Sequence, residues 1–170
     1  GSTSVRTTSP SGGIAPATTL ADRLGVRLCY VRSARKEHGK GRQLEGLDQT
    51  DIDGNAPGRL GGGGVASLRR VVLVEDVIST GESSARAARA VAATGLPVSL
   101  GLAVFSYGFA VAHRRFASLP FPFAMHPLVT LDDLLSCAEE RSAVSTEHTA
   151  TVRRWAADPL AWGDREGGRQ

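Results

Sequence analysis

The stretch Arg70-Val71-Val72-Leu73-Val74-Glu75-Asp76 restricts the folds open to this chain more than any other. Four consecutive apolar residues, charged at both ends, are too few for a buried helix and do not alternate as a half-exposed strand would. They suit a strand covered on both faces, the central position of a parallel sheet. Parallel strands need crossover connections, and helix-like segments alternate with the apolar runs on either side. The residues "IAPATTLADRL" have helical spacing with Gly25 as a stop, and residues 26–31 read as a strand. After Asp76, "ESSARAARAVAA" is an Ala-rich helix stopped at Gly95, and "PVSLGLAVF" is a second buried strand. "FAVAHRRFA" reads as a short helix and "FPFAMHPLV" as an edge strand. Thr130, three residues before Asp133, opens the helix "LDDLLSCAEE", and "STEHTATVRRWAAD" forms a last one. The fold class expected is α/β, a mostly parallel central sheet flanked by helices.

Two adjacent carboxylates at the end of a buried strand repel each other and are costly to desolvate, so a ligand or cation is expected to offset them. In an open α/β sheet ligands bind beyond the carboxyl ends of the strands, where Glu75 and Asp76 fall. The turn that follows runs Val77, Ile78, Ser79, Thr80, Gly81, Glu82, Ser83 into a helix start. Backbone N–H groups and the hydroxyls of Ser79, Thr80 and Ser83 there suit an anion, with the acids left to face vicinal hydroxyls or a cation. A ribose 5-phosphate satisfies both halves. The plainer alternative is a strand end with solvated acids and an ordinary helix cap. The two common nucleotide loops, G-x-x-x-x-G-K-[ST] and a strand-to-helix G-x-G-x-x-G, are absent.

Residues 1–11, poor in apolar side chains, read as a flexible leader to a domain over 12–162, with a polar tail at 163–170. "SARKEHGKGRQLEG" reads as an exposed, glycine-punctuated loop and 47–67, with four successive glycines, as a flexible insertion. A basic loop of this kind is by itself compatible with mere solvation. The formal charge of +3 is compatible with an anionic ligand, and neither a nucleic-acid nor a membrane partner is expected; no run approaches the roughly 18 apolar residues that span a bilayer. Cys29 and Cys137, far apart in apolar contexts, read as reduced core thiols, which favours a cytoplasmic location. His38, His113, His126 and His148 have no ligand spacing, so no metal cage built from protein groups alone is expected.

"VVLVEDVISTGES" resembles the 5-phosphoribosyl 1-diphosphate (PRPP) motif of type I phosphoribosyltransferases. "YVRSARKEHGKGRQLEG" resembles the catalytic loop of orotate phosphoribosyltransferases, "GGIAPATTLADRLG" the preceding helix, and "VFSYGF…LDDLL…VRRWAADPLAW" the C-terminal segment. The likeness runs over 12–162 outside the insertion. It implies transfer of the phosphoribosyl group from PRPP to orotate, giving orotidine 5'-monophosphate and pyrophosphate in pyrimidine biosynthesis. It further implies Mg²⁺ held mainly through PRPP and a homodimer whose loop acts across the interface. By the same resemblance Arg32, Lys36 and His38 bind pyrophosphate oxygens, residues 75–83 bind PRPP, Ser79 also meets orotate, and Lys36, His38 and Asp76 are catalytic. Two departures stand out: Ser33 replaces a lysine the family carries after the loop arginine, and "FSYGF" stands where some members have a base-binding arginine. The family's N-terminal segment, which helps hold orotate, has no expected counterpart here. A PRPP-binding regulatory or inactive homologue and a purine-salvage enzyme are the alternative readings.

Overall fold

The structure, a computed structural model, describes residues 4–7, 12–32, 44–46, 70–159 and 161–162. Among them six strands form one sheet: β1 (Ser4–Thr7), β2 (Leu28–Val31), β3 (Leu44–Glu45), β4 (Val71–Ile78), β5 (Val98–Ser106) and β6 (Ala124–Thr130), in spatial order β3-β2-β1-β4-β5-β6. Every neighbouring pair is parallel except β2 with β3. The helices are α1 (Ile14–Leu24), α2 (Glu82–Ala92), α3 (Ala110–Ala117), α4 (Leu131–Glu140) and α5 (Thr146–Ala157). This is the α/β architecture expected from the alternation of elements, with "FPFAMHPLV" giving the edge strand β6 as read. No helix among the described residues is long and apolar enough to cross a membrane.

The side-chain alternation of β4 divides the core. Val71 and Leu73 pack with Cys29, Val31, Ala87, Val91, Leu96 and Val98, on the α2 side. Val74 points the other way, to Ala17 and Ala21 of α1. Ile78 closes the carboxyl end in a cluster with Ala85, Ala88, Ala112 and Phe116, which joins α2 to α3. The small residues on α2 let its backbone approach the sheet: Ser84, Ala87, Ala88 and Val91 are all buried, at spacings of one helical face.

The helix ends follow their sequence signals. Gly25 caps α1 at φ 60, its N–H reaching Ala21 and Asp22 carbonyls. Thr130 and Asp133 form the expected capping box on α4: the Thr130 Oγ1 accepts from the Asp133 N–H at 3.2 Å, and the Asp133 Oδ2 accepts from the Thr130 N–H at 2.8 Å. These bonds, the side-chain one first, hold the Asp133 carboxyl below the usual carboxylate range. Helix α5 is fastened to α4 by Arg153, which donates to Asp132, Glu139 and Ser136 at 2.8, 3.0 and 3.2 Å. Buried Thr149 also donates to Glu139 and, more than Arg153, lowers its carboxyl.

Several expectations are corrected. Within the stretch read as a leader, Ser4–Thr7 is a central strand, paired to β2 on one side and β4 on the other. Its sequence, SVRT, carries one aliphatic residue, so no apolar run announces it; two backbone ladders hold it. Strand β2 begins at Leu28 rather than residue 26, and β4 continues through Glu75-Asp76 to Ile78, two residues beyond the expected end. Leu44–Glu45, inside the expected loop, pairs with β2. Cys29 is buried as read, whereas Cys137 is exposed, because α4 turns Leu135 inward instead. The insertion at 47–67 and the tail at 163–170 lie outside the described residues.

Candidate active site at the carboxyl edge of the sheet

Strands β1, β2, β4 and β5 run the same way, so the turns that follow them share one edge. After β4, residues 79–81 lead into α2, whose N-cap is Gly81 at φ 71 with no side-chain cap hydrogen bond. The left-handed conformation of Gly81 turns the chain sharply from strand to helix. The first N–H groups of α2 have no intrahelical acceptor, and the helix dipole favours an anion beside them. The hydroxyls of Ser79, Thr80 and Ser83 make no hydrogen bond among the described residues, and Ser79 is exposed. The turn therefore offers unspent donors at the positive end of an 11-residue helix.

The turn is braced from behind by α3. A Cβ at position 81 would stand 2.8 Å from the Phe116 ring and 3.2 Å from the Ala112 Cβ. The Arg115 Nη1 donates to the Thr80 carbonyl at 2.6 Å, and its Nη2 lies 3.6 Å from the Glu82 carboxylate.

The acidic pair is split by the alternation of the strand. Asp76 shares the α1 side with Val74, half-buried, and its carboxylate lies against Gly12, so closely that a methyl group on Gly12 would overlap it. It thus stands between the turn entering α1 and the turn entering α2. Glu75 faces the opposite side. It is 1 % exposed, and its Oε1 accepts from the hydroxyl of Ser84 at 2.8 Å. The sequence reading placed both acids at the ligand; the structure brings Asp76 to the rim and buries Glu75 between the sheet and α2. Val77 is exposed and Ile78 is core.

Arg32 follows β2 and so lies on the same edge. Its Nη1 donates to Glu45 Oε1 at 2.6 Å, and the Tyr30 hydroxyl donates to the other oxygen at 2.6 Å. Those bonds to Glu45 raise the proton affinity of both Tyr30 and Arg32. Lys36 and His38 lie outside the described residues. At the end of β5 the rings of Tyr107 and Phe109 pack edge-to-face on Trp155 of α5, with centroids 5.9 and 5.5 Å away, and the Tyr107 N–H donates to the Ile78 carbonyl. Among the described residues no cluster of three or more His, Cys, Asp or Glu side chains is set to hold a metal ion.

Sequence reasoning missed three contributors. Gly12, after a strand and before a helix, carried a signal in its Gly-Gly pair. Ser84 was one helical position past the hydroxyl series. Arg115 is 35 residues from the carbonyl it holds, and nothing local marks it.

Comparison with known proteins gives this edge a context. Residues 9–115 match the phosphoribosyl transferase domain family. Over 154 residues, 91 % of this chain and 62 % of the relative, the sequence is 37 % identical to the orotate phosphoribosyltransferase of Cutibacterium acnes. It is 37 % identical over 153 residues to that of Bacillus caldolyticus, covering 90 % of this chain and 65 % of the relative. The chain thus spans less than two thirds of the length of both curated relatives. The crystal structure of orotate phosphoribosyltransferase from Aeropyrum pernix superposes with a TM-score of 0.58 at 26 % identity, over 84 % of this chain and 67 % of that one. An anion-ready turn after the central strand, a carboxylate at its rim and a family match that spans both lead to one assignment: the chain belongs to the phosphoribosyltransferase family.

Proposed function

We propose that the protein is an orotate phosphoribosyltransferase, which joins orotate to the phosphoribosyl group of PRPP and releases pyrophosphate in pyrimidine biosynthesis. The observation that carries the reading is the pairing, on one edge, of the Gly81-headed turn with the Asp76 carboxylate. The names of the relatives support orotate as the base.

In this reading the 5-phosphate sits on the N–H groups and hydroxyls of residues 79–83, and Ser79 also meets orotate. Asp76 accepts from the ribose hydroxyls and lies near the sugar ring as positive charge develops there. Glu75 acts from the interior: its bond with Ser84 ties β4 to the first turn of α2 and so holds the turn between them. Arg32, Lys36 and His38 take the negative charge of the departing pyrophosphate. Asp76 is a hard oxygen donor at the rim, which suits Mg²⁺, an ion that typically takes few protein ligands and the rest from phosphates and water. Bound with PRPP, Mg²⁺ neutralises leaving-group charge. A homodimer whose catalytic loop acts across the interface, and a cytoplasmic location, complete the proposal.

The test is the loss of orotate absorbance with PRPP and Mg²⁺. Wild-type protein consumes orotate, and Lys36→Ala removes most of the turnover. Binding of PRPP without base consumption would replace this reading with a regulatory one, and consumption of hypoxanthine or guanine with a salvage enzyme. Sedimentation of the same sample reads the dimer.

A further inference from the structure

We infer that Arg115 is a positioning residue for the phosphate-binding turn, setting the affinity for PRPP from helix α3. The inference rests on the reading of residues 79–83 as the site of the 5-phosphate.

Helix α3 meets three consecutive residues of the turn. Arg115 takes the carbonyl of Thr80 at 2.6 Å, Ala112 and Phe116 lie under Gly81, and Arg115 faces the carboxylate of Glu82 at 3.6 Å. The first contact fixes a direction. In a trans peptide the C=O and the following N–H point opposite ways, and the described chain contains no cis bond. Drawing the Thr80 carbonyl toward α3 therefore aims the Gly81 N–H away from α3, into the space in front of the turn. Without that hold the peptide between Thr80 and Gly81 is free to rotate, since a glycine on one side tolerates either orientation. A rotated peptide would present a carbonyl oxygen to an incoming phosphate.

The third contact concerns charge. Glu82 sits in the first turn of α2 and is largely exposed, placing a negative group beside the proposed anion site. Arg115 supplies the opposing charge. It is partly buried, at 29 % side-chain exposure, so its position is set by packing as well as by its bonds. Lysine cannot reproduce both contacts, because a single ammonium lacks the planar fork that reaches two acceptors at once.

The experiment is titration calorimetry with PRPP and Mg²⁺, paired with steady-state kinetics and thermal melts, on wild type, Arg115→Ala, Arg115→Lys and the double variant Arg115→Ala/Glu82→Gln. Losing a charge-assisted hydrogen bond that orders a binding group raises the Kd and KM for PRPP about tenfold or more in Arg115→Ala, with kcat within about twofold. Arg115→Lys recovers part of that loss, and Glu82→Gln added to Arg115→Ala recovers the share due to unmasked negative charge. Wild-type protein that binds no PRPP overturns the reading of the turn and this inference with it. Wild-type protein that binds, with Arg115→Ala within about twofold of it, overturns the role of Arg115 alone. A fall in kcat equal to the rise in KM, tracking a lowered melting temperature and not relieved by lysine, identifies a purely structural residue and also overturns it.

Discussion

Replacing Gly81 with alanine probes how tightly the turn is built, and Gly95 provides an internal control. Both glycines hold left-handed backbone, at φ 71 and φ 81. An L-residue there costs roughly 1–2 kcal/mol, of which about 0.4–1 kcal/mol is returned because alanine restricts the unfolded chain. Around Gly95 a Cβ meets nothing within 4 Å, so Gly95→Ala carries the backbone cost alone. At Gly81 the new methyl would stand 2.8 Å from the Phe116 ring and 3.3 Å from the Ala112 Cα. Phe116 is 8 % exposed and packed with Ile78, Ala85 and Leu119, so its ring cannot simply swing aside. Overpacking of this kind adds about 1–3 kcal/mol. Urea unfolding should therefore show Gly95→Ala less stable than wild type by roughly 0.5–1 kcal/mol and Gly81→Ala by roughly 2–4 kcal/mol. Because Gly81 heads the turn, its variant should also lose PRPP affinity while Gly95→Ala retains it. Equal stabilities for the two variants would refute the proposition that α3 braces the turn.

The adjacent acids should separate cleanly. Glu75→Ala leaves the Ser84 hydroxyl, at 0 % exposure, without its acceptor, and should lower the unfolding free energy by at least about 1–3 kcal/mol by urea titration. Asp76→Asn keeps the shape against Gly12 and should leave stability within about 0.5 kcal/mol while sharply raising the Kd for PRPP, read by calorimetry. Acid should weaken the α4–α5 unit. The Asp133 and Glu139 carboxyls sit below their ordinary values in the folded chain, so their stabilisation is complete above the unfolded carboxylate range and fades as pH falls through the lowered folded values. The urea midpoint should accordingly drop as the pH is lowered below the ordinary carboxylate range. In Thr149→Val the Glu139 part of that drop should shrink, since Thr149 is the main cause of the Glu139 shift.

What could be read from the sequence is what local chemistry decides. Gly25 and Gly95 end their helices because each takes a left-handed conformation, and Thr130 with Asp133 starts α4 by exchanging two bonds over three residues. The four apolar residues 71–74 announce the central strand, because only a doubly covered strand accommodates them. Strand β1 had no such mark. Its order comes from the neighbours that sandwich it, a tertiary effect that composition does not encode. The same holds for Arg115, whose function depends on helix α3 folding back over a turn 35 residues earlier. The Lys36 and His38 assignments fall outside the described residues, so the edge is known from the turn, Asp76 and Arg32.

The division of Glu75 from Asp76 follows from a rule the sequence already contained. Val77 and Ile78 are β-branched and extend the strand past the acids, so both carboxylates lie inside β4, where adjacent side chains point to opposite faces. Two acids on one ligand would need a bulge or a strand that stopped at residue 75. Alternation between the two neighbours instead gives one carboxylate to each side of the sheet. Glu75, turned inward, joins β4 to the first turn of α2 through Ser84, while Asp76, turned to the α1 side, stays at the rim with Gly12. The repulsion that two neighbouring carboxylates would suffer is relieved by direction before any ligand arrives.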